Sequence, residues 1–369
     1  MARYWRSILL TPNLLGKDGV SALSREMARA LPQPALILSL HDKSVKAERS
    51  PVEREIRGAG GSRFDFLITA VRASQDAGED LIIACSHLHL APIARLVKFA
   101  AGAAARPIVM LCGIEAWVPL RPLESWALKG SDLAAISQHT VDRFRYANSA
   151  FRHVEVGVCH PGVAAVSAAA FRFGESPMAL IVARMSSAER YKGHDALLEI
   201  WPRVVERHPN AVLAIAGDGD DRARLEAKSK DLNVQGSVTF AGRIGDSALA
   251  GLYARSRFFV MPSRDEGFGL VFLEAMRAAK ACIGGTGAAA EIIDAGVTGM
   301  VVDPDNRSEL LAAILRMYDE PDTCRRFGEA ARARFLAEFT DRHFQARFAR
   351  VIAHQPPIEE ERKPMPASA

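Results

Sequence analysis

Apolar residues along this chain fall into two alternating patterns. Short, almost unbroken apolar runs cover residues 7–10, 35–40, 80–85, 107–111, 133–136 and 154–156 in the first half. In the second half they cover 178–183, 212–216, 238–240, 258–261, 281–283 and 300–302. Between them lie longer stretches that read as helices, at 20–30, 62–75, 92–103 and 138–147, then 194–207, 222–232, 247–255, 270–280 and 289–294. Near-continuous apolar strands with helices between them argue for parallel sheets covered on both faces. The expected fold class is therefore α/β, with two doubly wound domains. Small residues across 164–177, ending in Gly174-Glu175-Ser176-Pro177, mark a boundary. Domains are expected at 1–165 and 175–338, the second ending with an amphipathic helix over 322–338. A closing helix is expected within 339–355, and a disordered, proline-rich and charged tail at 356–369. Ligands of such sheets bind beyond the carboxyl ends of the strands, so two facing domains would form a cleft with one substrate on each side.

Composition narrows the class. The 369 residues suit about two domains, and 49% hydrophobic with 24% charged residues marks a soluble globular protein. Apolar runs fall short of the roughly 20 residues that span a bilayer, and Met1 to Arg6 leads into a strand rather than a secretory signal. Five scattered cysteines without a CxxC pair suggest neither a disulfide framework nor a zinc site, and point to a reducing cytoplasm. A net charge of +4 is too weak to imply nucleic acid. The basic segment 43–57 also holds Glu48, Glu53 and Glu55. It reads as a solvated surface, with peripheral contact to anionic membrane lipid as the alternative.

The chemistry concentrates in Glu266-Gly267-Phe268-Gly269-Leu270-Val271-Phe272-Leu273-Glu274. This stretch follows a strand-like run and the loop Ser263-Arg264-Asp265, and it enters a helix. Glycines at a helix start leave backbone N–H groups open to an anion. A carboxylate repels phosphate, so Glu266 and Glu274 are suited to accept hydrogen bonds from hydroxyls on either side. A ligand with phosphates in the middle and sugars at both ends fits, which is a nucleotide sugar. The plainer alternative pairs Glu274 with Arg277 one turn on and leaves Glu266 in water. In the first half, His87 and His89 lie just past a strand end, where an acceptor would sit. Ser137 is an N-cap candidate at a helix start that could also take an anion. Trp117 and Trp126 are either stacking surfaces or core.

The second half resembles the retaining family 4 glycosyltransferases of the GT-B fold, also described as glycosyl transferases group 1. The resemblance rests on Val182-Ala183-Arg184-Met185-Ser186, Arg190-Tyr191-Lys192-Gly193, Ala216-Gly217-Asp218-Gly219, Phe240-Ala241-Gly242-Arg243, the pair Glu266 and Glu274, Glu291, and Thr298-Gly299. The first half matches more loosely, through Pro12-Asn13, Gly16, Gly19, the segment Cys112-Gly113-Ile114-Glu115-Ala116-Trp117, and Ala135-Ile136-Ser137. The resemblance implies two Rossmann-like domains facing a central cleft, the first on the acceptor side and the second holding the nucleotide sugar.

What the resemblance implies about residues follows. Arg184 and Lys192 would lie on the donor diphosphate, where fixed cations stabilise the leaving group. Glu274 would accept from the ribose and Glu266 would stand by the transferred sugar, together the catalytic set Arg184, Lys192 and Glu266. The amides of Gly267, Phe268, Gly269 and Leu270 would face sugar and phosphate, and Arg243 with Ile244 would flank the base. The loop Gly16-Lys17-Asp18-Gly19 would approach the diphosphate, although Asp18 stands where a small residue is expected. His87, Cys112, Glu115 and Ser137 would line the acceptor side. No metal and no cofactor are expected, the nucleotide sugar being a substrate. Its donor is a hexose on GDP or UDP, and its acceptor a saccharide or lipid-linked saccharide of exopolysaccharide or lipopolysaccharide synthesis. Transfer would retain the anomeric configuration at the inner face of the plasma membrane.

The main departure is Cys112, where related enzymes commonly carry histidine in His-Gly-Ile-Glu. A dispensable sugar contact, a different donor sugar and a non-catalytic sugar-nucleotide-binding subunit are the three readings. A dehydrogenase is disfavoured, because Ala216-Gly217-Asp218-Gly219-Asp220 lacks a third glycine and carries acids that repel a pyrophosphate.

Overall fold

The computed structural model describes residues 5–102, 104–165 and 176–355. The composition-marked boundary at 166–175, the expected helix end at 103 and the tail at 356–369 lie outside the described residues. The chain divides into two compact units: one runs to Pro161 and resumes at Asp341, the other is Gly162–Thr340.

The first unit holds strands β1 (Trp5–Thr11), β2 (Ala35–Ser39), β3 (Ile56–Gly58), β4 (Ala77–Cys85), β5 (Arg106–Leu111), β6 (Asp132–Ala135) and β7 (Val156–Val158). They form one parallel sheet in the order β3-β2-β1-β4-β5-β6-β7. Helices α1 (Gly19–Ala30), α2 (Arg63–Gln75), α3 (Ala91–Ala101), α4 (Pro122–Leu128) and α5 (Gln138–Ala147) connect them. The strands are apolar throughout because both faces are covered: Ile8, Leu9 and Leu10 are all fully buried. Strand order reverses between β1 and β4, so their carboxyl ends define the crevice of this sheet.

The second unit holds β8 (Met178–Val182), β9 (Val212–Ala216), β10 (Val238–Gly242), β11 (Phe258–Met261), β12 (Ala281–Gly285) and β13 (Gly299–Val302), parallel in the order β10-β9-β8-β11-β12-β13. Its helices are α6 (His194–Arg207), α7 (Arg222–Asp231), α8 (Asp246–Arg255), α9 (Leu270–Arg277), α10 (Ala289–Ile292), α11 (Arg307–Asp319) and α12 (Pro321–Glu338). Here the order reverses between β8 and β11. The loops after these two strands carry Arg184 and Glu266.

Three elements are absent from the sequence reading, and β4 and β7 are displaced from it, at Ala77–Cys85 and Val156–Val158. Helix α11 was missed, although Asn306 caps it by accepting from the Glu309 N–H at 3.1 Å. Strand β3 is three residues long and buries only Ile56 fully, too short for a readable period. Helix α4 is seven residues long, opened by Pro122 and closed at its start by Glu124, which accepts from the Arg121 N–H at 3.0 Å.

The last helix, α13 (Asp341–Ile352), belongs to the first unit. Gln345 Nε2 donates to Glu26 Oε2 on α1 at 3.0 Å, and Arg106 donates to the Ile352 carbonyl at 3.0 Å. The division near residue 162 precedes the 164–177 stretch, because the Val163 N–H donates to Phe339 O at 3.1 Å and residue 163 bridges Thr340. Among the described residues no helix is long and apolar enough to cross a membrane.

Candidate functional site

The loops leaving β8 and β9 pack backbone to backbone. A Cβ on Gly217 would lie 1.9 Å from Ala183 O, and one on Gly219 would lie 2.1 Å from Met185 O. Only glycine permits this approach, which explains Gly217-Asp218-Gly219 without a phosphate. The Met185 N–H donates to Asp218 O at 3.1 Å, fixing the turn that presents Arg184. Arg184 is largely exposed and pairs with Glu189.

The 3-10 turn Ser187–Lys192 leads into α6 through Gly193, whose φ is +92°. A Cβ there would lie 2.7 Å from Pro262 Cγ and 2.8 Å from Pro262 O, so the turn lies against the loop after β11. The Arg264 N–H donates to Tyr191 O at 3.0 Å across the same seam. Lys192 Nζ consequently meets Glu266, with only 16% and 12% of the two side chains exposed. Ser263 Oγ also reaches Glu266 Oε1, at 3.4 Å. The two residues read from sequence as separate ligand contacts are therefore partners of each other.

Helix α9 opens at Gly269, at φ +101°, with no side-chain cap. A Cβ on Gly269 would lie 2.7 Å from the Phe272 ring. Phe268 is buried, while Gly267 and Leu270 are half-buried beside it. Glu274 faces back along this helix and is held by Tyr253 on α8, whose hydroxyl donates to Oε2 at 3.0 Å. Burial pushes the Glu274 carboxyl above its ordinary value, and the bond from Tyr253 and the nearby Arg277 charge offset part of this rise. Arg277 itself donates to the Ala164 carbonyl at 3.1 Å. Arg243 and Ile244 follow β10 after Gly242, Arg243 exposed and Ile244 half-buried. Thr298 closes a turn by accepting from the Asp294 N–H at 2.8 Å, at the amino end of β13. That places it at the strand end opposite to the loops carrying Arg184 and Glu266.

A charged lattice anchors the Lys192 turn, and sequence reasoning missed it. Arg190 donates to Asp221 at 2.9 and 3.1 Å. Arg224 bonds both Asp221, at 2.6 and 2.8 Å, and Asp195, at 2.7 and 2.8 Å. Hydrogen bonds from Arg224 hold Asp195 well below the usual carboxylate range and bring Asp221 down to about 2. Bidentate arginine contacts of this kind fix geometry as well as charge. The signal was present in Asp220-Asp221-Arg222-Ala223-Arg224, but its partners are about thirty residues upstream.

On the first unit, Asp18 has a structural reason to be acidic. It caps α1, accepting from Ser21 N–H at 2.9 Å and bonding Ser21 Oγ at 2.8 Å. Burial raises the Asp18 pKa, and the two bonds from Ser21 together with the backbone N–H groups of Asp18 and Val20 outweigh it to leave the carboxyl below its ordinary value. Gly16 leaves room for this cap, since a Cβ would lie 2.5 Å from Ser21 Oγ. Gly19 is the first residue of α1. Arg25 donates to the carbonyls of Leu14 and Gly16, at 2.8 Å each, so the loop is held from below.

Cys112 follows β5, and its thiol donates to Ser86 O at 3.2 Å. Burial is the main cause that keeps this thiol protonated, its pKa lying well above the ordinary value. Glu115 accepts from the Cys112 N–H at 2.6 Å and so closes its own turn. His87 packs 4.9 Å from His89, and His89 Nδ1 lies 3.0 Å from Glu124 Oε1. Burial lowers the His87 pKa, leaving it neutral at ordinary pH. Ser137 is buried and caps α5, accepting from Thr140 N–H at 3.0 Å. Trp117 is buried against His139, while Trp126 is partly exposed. All five cysteines are free thiols. Among the described residues no group of three His, Cys, Asp or Glu is placed to hold a metal.

Residues 168–334 match the family model for glycosyl transferases group 1. The chain thus has the GT-B fold, and its second half is similar to glycosyl transferases group 1. Among its relatives is the GDP-mannose-dependent alpha-(1-6)-phosphatidylinositol monomannoside mannosyltransferase of Mycolicibacterium smegmatis, 29% identical over 71% of this chain and 74% of that protein. The corresponding enzyme of Corynebacterium glutamicum for the monoacylated monomannoside is 28% identical over 61% of this chain, which spans 62% of that relative's length. Among solved structures, Anabaena HepE in complex with UDP and glucose superposes with a TM-score of 0.77 at 17% identity, covering 95% of this chain and all of that one.

Proposed function

We propose that this protein is a metal-independent, retaining glycosyltransferase. It moves a hexose from a nucleoside-diphosphate sugar to a hydroxyl of a saccharide or lipid-linked saccharide. The observation that carries this reading is the grouping of Arg184, the Lys192–Glu266 pair and the uncapped start of α9, with the half-buried acid Glu274 about one turn further on. The names of the mannosyltransferase relatives favour mannose on GDP as the donor.

The chemistry follows from the charges. The sugar–phosphate bond breaks as the acceptor oxygen bonds the anomeric carbon on the same face. The acceptor proton passes to the departing phosphate oxygen, so no side-chain base is needed. Arg184 and Lys192 stabilise the diphosphate as it gains negative charge. Donor binding draws Lys192 toward phosphate and frees Glu266 to accept from a sugar hydroxyl. Glu274 accepts from the ribose, and Tyr253 holds it in place.

Thermal-shift measurements with GDP, UDP and their sugars test the donor site. GDP should raise the melting temperature with saturation, and a flat response to every nucleoside diphosphate would overturn the reading. Cys112 supports a second reading, a non-catalytic sugar-nucleotide-binding subunit, because its thiol is directed at Ser86 O. Cys112→His separates the two. Transfer by the unaltered chain supports the enzyme, and transfer that begins only in the variant supports the binding subunit.

A further inference from the structure

We propose that the outer face of α3 and α4 docks on an anionic lipid bilayer. Exposed large apolar side chains are scattered singly elsewhere, which is ordinary for a protein surface. Six fall within residues 96–126: Leu96 and Phe99 on α3, Ile114 and Val118 on the segment from β5 to α4, and Leu123 and Trp126 on α4. Phe99 is 62% exposed, Leu123 59% and Trp126 38%. On each helix the apolar pair is spaced i, i+3, so both members share one face. The rings of Phe99 and Trp126 stack at 5.9 Å, joining the two helices into a single apolar surface. Arg95 lies 5.0 Å from the Phe99 ring and 5.7 Å from the Trp126 ring, and it also donates to Gly130 O at 2.8 Å.

The charge on this face selects the occupant. Lys98 lies on α3 beside Arg95, and Arg121 and Lys129 flank α4. The only acids from Ala91 to Ser131 are Glu115 and Glu124, and both are turned inward. Glu115 accepts from the Cys112 N–H, and the buried Glu124 bonds the Arg121 N–H and His89. Exposed apolar side chains with cations beside them, in a stretch that carries no exposed acid, fit a bilayer of anionic headgroups: rings enter the interface and cations meet phosphates.

The Glu124–His89 bond ties α4 to the loop at the carboxyl end of β4. A bilayer on this face would set lipid-linked hydroxyls beside that loop. This last point rests on the acceptor proposed above, whereas bilayer binding itself needs no transfer, so the two ideas fail separately.

The test mixes the full chain with vesicles of phosphatidylcholine, alone or with phosphatidylglycerol. Binding should require phosphatidylglycerol and weaken with salt. Tryptophan emission should shift to the blue, and Trp126 is the source because Trp5, Trp117 and Trp201 are buried. Phe99→Ser with Trp126→Ser should weaken binding about tenfold or more, and the exposed pair Val297→Ser with Leu336→Ser should not. Should the first variant fold poorly, Lys98→Glu with Lys129→Glu gives the deciding measurement and should cause a similar loss. No vesicle binding, or binding unchanged in both the apolar and the charge variants, overturns the proposal. So does a concentration-dependent dimer that the Phe99 and Trp126 changes abolish, which would make a second copy of the chain the occupant.

Discussion

Lys192 and Glu266 stand 74 positions apart, yet they form an ion pair with little of either side chain in water. Removing one partner leaves an uncompensated, shielded charge, whereas removing both need not. Lys192→Met should lower transfer about 100-fold and also lower the melting temperature. Lys192→Met with Glu266→Gln should stay as inactive but recover much of the melting temperature. Recovery of activity in the double variant would show that Lys192 serves only to neutralise Glu266. Glu274 adds a pH signature. Its folded pKa is raised, so protonation favours the folded state but removes the acceptor for ribose. Donor affinity should therefore fall on acidification, beginning above the pH where an ordinary glutamate, near 4.5, titrates. Tyr253→Phe removes a bond that favours the charged form, so titration calorimetry across pH should show the fall beginning at higher pH still. The spacing of Glu266 and Glu274 was legible because both lie close to one helix start. The contacts of Glu266 with Lys192 and of Glu274 with Tyr253 were not, since each joins separate loops or helices.

At the scale of elements, α6 shows how a helix start is built for position. Gly193 takes the left-handed turn against Pro262, and Asp195 is gripped by Arg224 and Lys228. His194 between them is buried, and its Nε2 has no hydrogen-bond partner. Burial, opposed in part by the Asp195 charge, lowers its pKa from 6.5 to about 4. The unfolded chain therefore takes up this proton at higher pH than the fold does. Its contribution to stability is full above pH 6.5 and is lost as pH falls toward about 4. Denaturant unfolding across that range should show the decline, and His194→Gln should flatten it. An unchanged slope would mean that other groups set the acid limb. Apolar periodicity marked α6 with its observed bounds, because its buried face runs through Ala196, Leu197, Ile200, Trp201 and Val204. It missed β3 and α4, whose few residues repeat their period less than twice. It also missed α11, where the Asn306 and Glu309 cap signature was present in the sequence.

At the scale of the molecule, the chain crosses from one unit to the other and then returns. Apolar pattern revealed two sheets, because each strand is bounded locally. Pattern could not say that α13 goes back to the first unit, because that depends on a face presented by α1 more than three hundred residues earlier. The return has a thermodynamic consequence. Phe344 and Phe348 of α13 are fully buried, and each is worth about 1.5–3 kcal/mol of burial. Deleting everything after Thr340 should therefore destabilise the first unit by several kcal/mol. The second unit keeps its own sheet, the Val163–Thr340 bridge and Arg184, Lys192, Glu266 and Glu274, so it should lose little. Calorimetry of the shortened chain should show an early transition for the first unit and a later one that GDP still raises. A single early transition that GDP does not move would show that the donor site depends on α13, and that the two units do not melt as separate bodies.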